Sequence, residues 1–210
     1  MSTKSQQKSV APRQVRAQVT VHTILEATTR LLERTGESKL TTNHIAEYAG
    51  YSIGTLYRYF SDKASIVETL AISELDNSVK TIYEKIDHAV ESNSPADVLI
   101  SICVSSMLES FKGRHMVRGQ VFKMMAGKRH LSDVFHSRRR KVLLHLEESL
   151  VLTDPSRFGM LTELEREFLL GATFGALNSI SMRQPNLIKS PEFKSTMINT
   201  ITFVLEKQNS

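Results

Sequence analysis

The stretch from Thr41 to Lys63, TTNHIAEYAGYSIGTLYRYFSDK, constrains this chain more than any other, because it divides into two short helices with only three residues between them. Ile45, Ala46 and Ala49 give the first helix an apolar face, and Gly50 stands where a left-handed residue ends a helix. Ser52 is placed to accept from the free N–H groups of a second helix, which Leu56 and Phe60 bury at i, i+4. So short a turn, residues 50 to 52, makes the second helix cross the first. The pattern is a helix-turn-helix.

The second helix carries residues that a purely structural helix would not favour. Gly54 in its first turn is unfavourable by about 1 kcal/mol against Ala, and its missing side chain admits close approach of another backbone. With Leu56 and Phe60 inward, a helical wheel places Ile53 on the outer surface with Thr55, Arg58 and Tyr59. Ile53 and the Thr55 methyl suit thymine methyl groups in a major groove, and Thr55 can hydrogen-bond a base edge. Tyr57 and Tyr59 offer hydroxyls on rigid rings, suited to phosphate oxygens. Lys63 falls in the first turn of a third helix capped by Ser61 or Asp62, where a cation opposes the macrodipole unless an anion sits there. Thr41 and Thr42 open the first helix with hydroxyls and free N–H groups. Singly these are ordinary caps. At this spacing they point to double-stranded DNA.

The run TTNHIAEYAGYSIGTLYRYFSDKASIVETL, with ILEATTRLLERTG before it, resembles the DNA-binding region of TetR-type transcriptional regulators over residues 16 to 70. The resemblance implies phosphate contacts from Thr41, Thr42, Tyr57 and Lys63. It also implies that Ile53, Gly54, Thr55 and Tyr59 face bases or neighbouring backbone. Position 53 holds Ile where some members of the family carry a polar base reader. Further implications are a homodimer on a palindromic operator, repression, and a small-molecule effector that alters operator affinity.

Charge follows the motif. The formal net charge is +5, and residues 1 to 63 hold nine Lys or Arg against five Asp or Glu, while the remainder is nearly balanced. The expected organisation is all-α: a basic, disordered tail at 1–15, a helix-turn-helix DNA-binding domain at 16–65, and a larger helical effector-binding and dimerisation domain at 66–210. Val21, Ile24, Leu25, Thr28, Leu31 and Leu32 form the inner face of the first helix, which ends near Gly36. Apolar periodicity from Ile66 to Ile86 predicts one long helix leaving the motif, stopped by SNSP at 92 to 95. Further helices are predicted at 96–111, 114–126, 131–152 and 162–183, with a last one capped by Ser190 and opened by Pro191.

The last two helices are both apolar. Phe168, Ala172 and Gly175 share one side of the first, and Phe193, Met197 and Ile201 form a stripe on the second. Such a pair either completes a core or forms a four-helix interface with a second copy, and the latter suits a protein reading DNA through a small motif. Met107, Phe111, Phe122 and Met125 are the candidate walls of an effector pocket. Arg138, Arg139, Arg140 and Lys141 spread around a helix, so a solvated face is expected there.

No catalytic residue is assigned. The His residues at 115, 130, 136 and 145 lack HExxH spacing, and neither a phosphate loop nor a nucleophile elbow is present, so the sequence implies no enzyme, metal or cofactor. The single cysteine, Cys103, lies among apolar residues and reads as an inert thiol. No secretory signal or membrane span is read, and the expected location is the cytoplasm. The alternative function is a DNA-bound interaction protein that recruits another protein and has no small-molecule effector.

Overall fold

The computed structural model describes residues 12–112 and 129–207. Eight α-helices occur among them: α1 (Pro12–Thr35), α2 (Thr42–Tyr48), α3 (Ile53–Tyr57), α4 (Lys63–Glu91), α5 (Ala96–Lys112), α6 (Arg129–Thr153), α7 (Glu163–Arg183) and α8 (Pro191–Leu205). No strand is present among the described residues, only a single bridge between Phe158 and Glu206. No described helix is long and apolar enough to cross a membrane. The helix expected at 114–126, with Phe122 and Met125, lies outside the described residues.

α1 begins at Pro12, whose fixed φ and missing N–H suit a first helical position, so residues 12–15 are helical where the tail was expected to extend. Thr28 and Thr29 are buried on its inner face, and their hydroxyls donate to the carbonyls of Ile24 and Leu25 at 2.8 and 3.1 Å. Each β-branched polar residue is thereby tolerated in a core.

The apolar side chains gather into two cores. Ile24, Leu32, Leu40, Ile45, Leu56, Phe60, Ile66, Val67 and Leu70 belong to the first, built by α1 to α3 and the first two turns of α4. The second unites Ile82 and Ile86 of α4 with Leu99, Ile100, Val104, Leu146, Leu150, Leu177 and Leu205. One helix therefore enters both. Ala71 still belongs to the first core and Val79 packs on the second, so the change of core falls inside α4, several residues beyond the boundary expected at 65.

α6 also serves both cores. Leu131, 1% exposed, inserts into the first core and Phe135 packs beside it, whereas Val142, Leu143 and Leu146 belong to the second. Three cross-helix pairs tie α6 to α4: His130 with Glu68, Arg138 with Asp76 at 2.9 Å, and His145 with Asp87 at 2.8 Å. Because both partners rise in number together, α4 and α6 run parallel. α7 is clamped to α6 by a buried ion pair in which Arg166 Nε and Nη2 donate to the two Glu147 carboxylate oxygens, each at 2.9 Å. Glu147 also accepts from the Leu161 N–H at 3.2 Å, which fixes the entry to α7.

Candidate nucleic-acid interface

α2 and α3 meet through a turn whose backbone closes both ends. The Gly50 N–H donates to the Glu47 carbonyl at 3.1 Å and the Tyr51 N–H to the Ala46 carbonyl at 2.9 Å. Gly50 lies at φ 74°, so this Schellman arrangement needs its glycine. Ser52 then caps α3, accepting from the Thr55 N–H at 3.1 Å, and its Oγ lies 2.9 Å from Thr55 Oγ1. Ser52 is thus placed on the motif as a cap, with its hydroxyl shared between two groups of Thr55. Thr41 caps α2 in the same way through the His44 N–H at 3.2 Å.

These caps present an outward row. Ile53 is 37% exposed and Tyr57 52% exposed. Gly54 is exposed, and a Cβ added to it would meet nothing nearer than Ser52 Oγ at 3.9 Å. The fold itself has no use for a missing side chain there. Thr42 Oγ1 and Tyr57 Oη stand 3.2 Å apart, so two hydroxyls from different helices converge on one point. Arg58 is exposed at the end of α3.

Lys63 is the first residue of α4. Asp62 is the cap: its carboxylate accepts from the Ser65 N–H at 2.7 Å, while the Asp62 N–H donates to Ser65 Oγ at 3.2 Å. No acid occupies the first turn of α4, and among the described residues the Lys63 ammonium has no ion pair. Thr42, Tyr57 and Lys63 accordingly hold three donors around the ends of the motif, in an arrangement suited to phosphate oxygens.

Tyr59 departs from the expected outward row. α3 ends at Tyr57, and Tyr59 is half-buried against the first core. The five-residue helix stops before the wheel reaches it. Sequence reasoning missed Tyr48, 41% exposed at the end of α2, whose hydroxyl accepts from Arg34 Nη1 at 3.4 Å. Only the meeting of α1 and α2 reveals that pair.

The sequence profile for bacterial regulatory proteins of the tetR family matches residues 24–70, the span of the first core from Ile24 to Leu70. Residues 24–70 are therefore similar to the N-terminal region of tetR-family regulators. The chain's α2, α3 and Lys63 all lie inside that TetR-type match. No curated protein matches the chain. Among solved structures, a TetR-family transcriptional regulator from Haemophilus influenzae RD is 15% identical, with a TM-score of 0.61 over 91% of this chain and 99% of that one. The fatty acid degradation regulator FadR from Bacillus halodurans is 16% identical, with a TM-score of 0.59 over 94% and 97%. The multidrug binding protein EbrR, complexed with imidazole, is 11% identical, with a TM-score of 0.60 over 90% and 97%. At these identities the likeness concerns the fold alone.

Outside the TetR-type region, the predicted residues separate by orientation. On α7, Phe168 is 72% exposed, and Ala172 and Gly175 are exposed beside it. On α8, Ile201 lies in the second core, and Phe193 and Met197 are half-buried against it. That stripe faces inward. The outward apolar residue of α8 is Phe203, which sequence reasoning missed because α8 is apolar on two sides. Met107 packs against the second core, Phe111 lies in the last turn of α5 with its side chain outside the described residues, and Met107 does not line the groove of about 470 Å³ formed by Lys85, Val98, Ser101 and Ser105. Cys103 is half-buried, and desolvation pushes its thiol up to about 12, which leaves it a weak nucleophile. Among the described residues no group of three His, Cys, Asp or Glu is arranged to hold a metal.

Proposed function

We propose that this protein represses transcription as a homodimer on a palindromic operator and is released by a small-molecule effector. The observation that carries the dimer is the apolar face left in solvent by α7 and α8. Leu164, Phe168, Met182 and Phe203 are 80%, 72%, 79% and 65% exposed. Large apolar side chains clustered in water mark an interaction surface. These two helices meeting the same pair from a second copy would bury them in a four-helix interface. Small residues Gly171, Ala172 and Gly175 on the exposed side of α7 permit close approach.

Such a dimer carries two copies of α3. Placed about 34–36 Å apart, they enter successive major grooves on one side of B-DNA. In each half-site Ile53, Gly54 and Thr55 face bases, and Thr42, Tyr57 and Lys63 hold phosphates. In this reading the larger helical domain receives the effector, as support for which EbrR, similar in fold, is described as a multidrug binding protein. Effector and operator then weaken each other's binding reciprocally, by favouring different separations of the two α3 helices.

The test is selection of binding sites from random duplex DNA, followed by sedimentation of the protein on the winning sequence. The expected result is an inverted repeat bound by two chains. Enrichment of a single asymmetric half-site, bound by one chain, would reject the dimeric reading.

A further inference from the structure

The arginine run on α6 does not form the solvated face its spacing suggests. Arg138 Nε donates to Asp76 on α4 at 2.9 Å. Arg140 pairs with Glu163 on α7 and lies 3.6 Å from Glu167. Arg139, between them, takes neither course. Its guanidinium carbon stands 3.9 Å from the centre of the Phe174 ring on α7 and 6.0 Å from that of Phe135, one turn back on α6.

A guanidinium stacked on a ring still has its N–H edge to satisfy, and Arg139 makes no hydrogen bond or ion pair among the described residues. The nearby carboxylates of α7 are engaged elsewhere: Glu163 by Arg140 and Arg166, Glu167 by His136 and Arg140. The sequence from 113 to 128 holds four Lys or Arg and no Asp or Glu, so no internal carboxylate comes from there either. Desolvation draws the Arg139 guanidinium down to about 10, so keeping a cation here works against folding. Stacking on Phe174 offsets part of that cost. A planar fork with one face on an aromatic ring and its edge uncommitted is suited to a carboxylate from outside the chain.

The two rings belong to different halves of the molecule. Phe135 packs on the first core and Phe174 on the second. Arg139 therefore stands where the DNA-binding core and the larger core meet along α6.

We propose that Arg139 binds the charged end of the effector, and that the effector is a small organic carboxylate whose apolar body lies on the rings of Phe135 and Phe174. This rests on the effector reading above and gives it a ligand class. It also gives the ligand a lever, since a molecule touching both rings bears on the junction of the two cores.

The test is calorimetric titration of the full chain with benzoate, octanoate and dodecanoate, each beside its uncharged primary amide. At least one acid is expected to bind, with its amide at least about tenfold weaker, the size of a charge-assisted bidentate contact. Arg139→Met, which keeps a flexible apolar chain over Phe174, should weaken the acid about ten- to a hundredfold and leave the amide unchanged. Arg139→Lys should restore part of the loss. Equal binding of acid and amide by the wild type, no binding of any acid, or undiminished acid binding by a folded Arg139→Met would each overturn the assignment. The acid-to-amide comparison needs no variant, so it stands if Arg139→Met misfolds. Acid binding that requires Arg139 but leaves affinity for the selected operator unchanged upholds the anion site and rejects release by effector.

Discussion

Lys63→Ala separates a phosphate contact from a structural role, because the two predict opposite signs. Lys63 opens α4 with no acid in the first turn, so its charge opposes the helix dipole. Removing it should leave the melting temperature unchanged or raise it, by the equivalent of about 0.3–1 kcal/mol. Binding should fall. Every phosphate that is no longer neutralised lowers the slope of log K against log salt by about 0.9, so a dimer giving up one phosphate per chain changes its slope by about 1.8. Between 50 and 200 mM salt, the ratio of wild-type to variant affinity should then shrink about twelvefold. A monomer giving up a single phosphate would show about three- to fourfold.

Fluorescence anisotropy on the selected operator and on an unrelated duplex, each at four salt concentrations, measures this directly. The slope change should be the same on both duplexes, since a phosphate carries no sequence. Parallel salt plots for wild type and variant would refute the phosphate assignment. A loss confined to the operator would instead make Lys63 a reader of sequence. Lys63→Arg, which keeps the charge, should keep the slope.

The remaining predictions concern the motif, the dimer face and the clamp behind it. Gly54→Ala should stabilise the free protein by about 1 kcal/mol, because a Cβ meets no obstacle within the fold. It should also bind the operator about tenfold more weakly, which corresponds to about 1.4 kcal/mol of binding energy; unchanged binding would remove Gly54 from the interface. Phe168→Glu should convert dimers to monomers in sedimentation while keeping helical circular dichroism, since the side chain is 72% exposed in one chain; persistent dimers would move the interface elsewhere. Glu147→Gln leaves the buried Arg166 charge without its bidentate partner and should cost about 3 kcal/mol, or ~6–12 °C in melting temperature. A fall below about 2 °C would mean that Glu163 and the Leu161 carbonyl suffice to hold Arg166.

Local chemistry was legible in the sequence wherever a residue's role depends on its immediate neighbours. Gly50 at a left-handed turn, Ser52 and Ser190 as caps and Pro191 at a helix start depend only on a few adjacent residues, and the structure shows each in that role. Orientation was less legible. The stripe Phe193, Met197 and Ile201 has helical spacing, but α8 also carries Phe203 on another side, and periodicity cannot choose which face turns inward. The division of cores inside α4 was hidden for the same reason, since Ile66, Leu70, Ile82 and Ile86 continue one apolar pattern while touching different neighbours. The arginine run was misread because its acids, Asp76 and Glu163, lie about sixty residues before it and about twenty after it in the chain.

Two helices pass between the cores, and their pairing limits how one core can act on the other. α4 leaves the motif at Lys63 and ends against the larger core, while α6 begins with Leu131 inside the first core and ends with Leu150 inside the second. Sliding α6 along α4 by one turn, about 5.4 Å, would separate His130 from Glu68, Arg138 from Asp76 and His145 from Asp87 together. A tilt about this seam keeps the pairs while moving the far ends of both helices. On the proposed reading, a ligand at Arg139 acts at the middle of that seam, midway between the pairs at His130 and His145. On that reading the α3 helix moves as part of the first core, in which Leu56 is fully buried. On the same proposed reading, operator affinity would follow the angle between the two packed bodies, and the residues proposed to touch DNA would keep their own conformation.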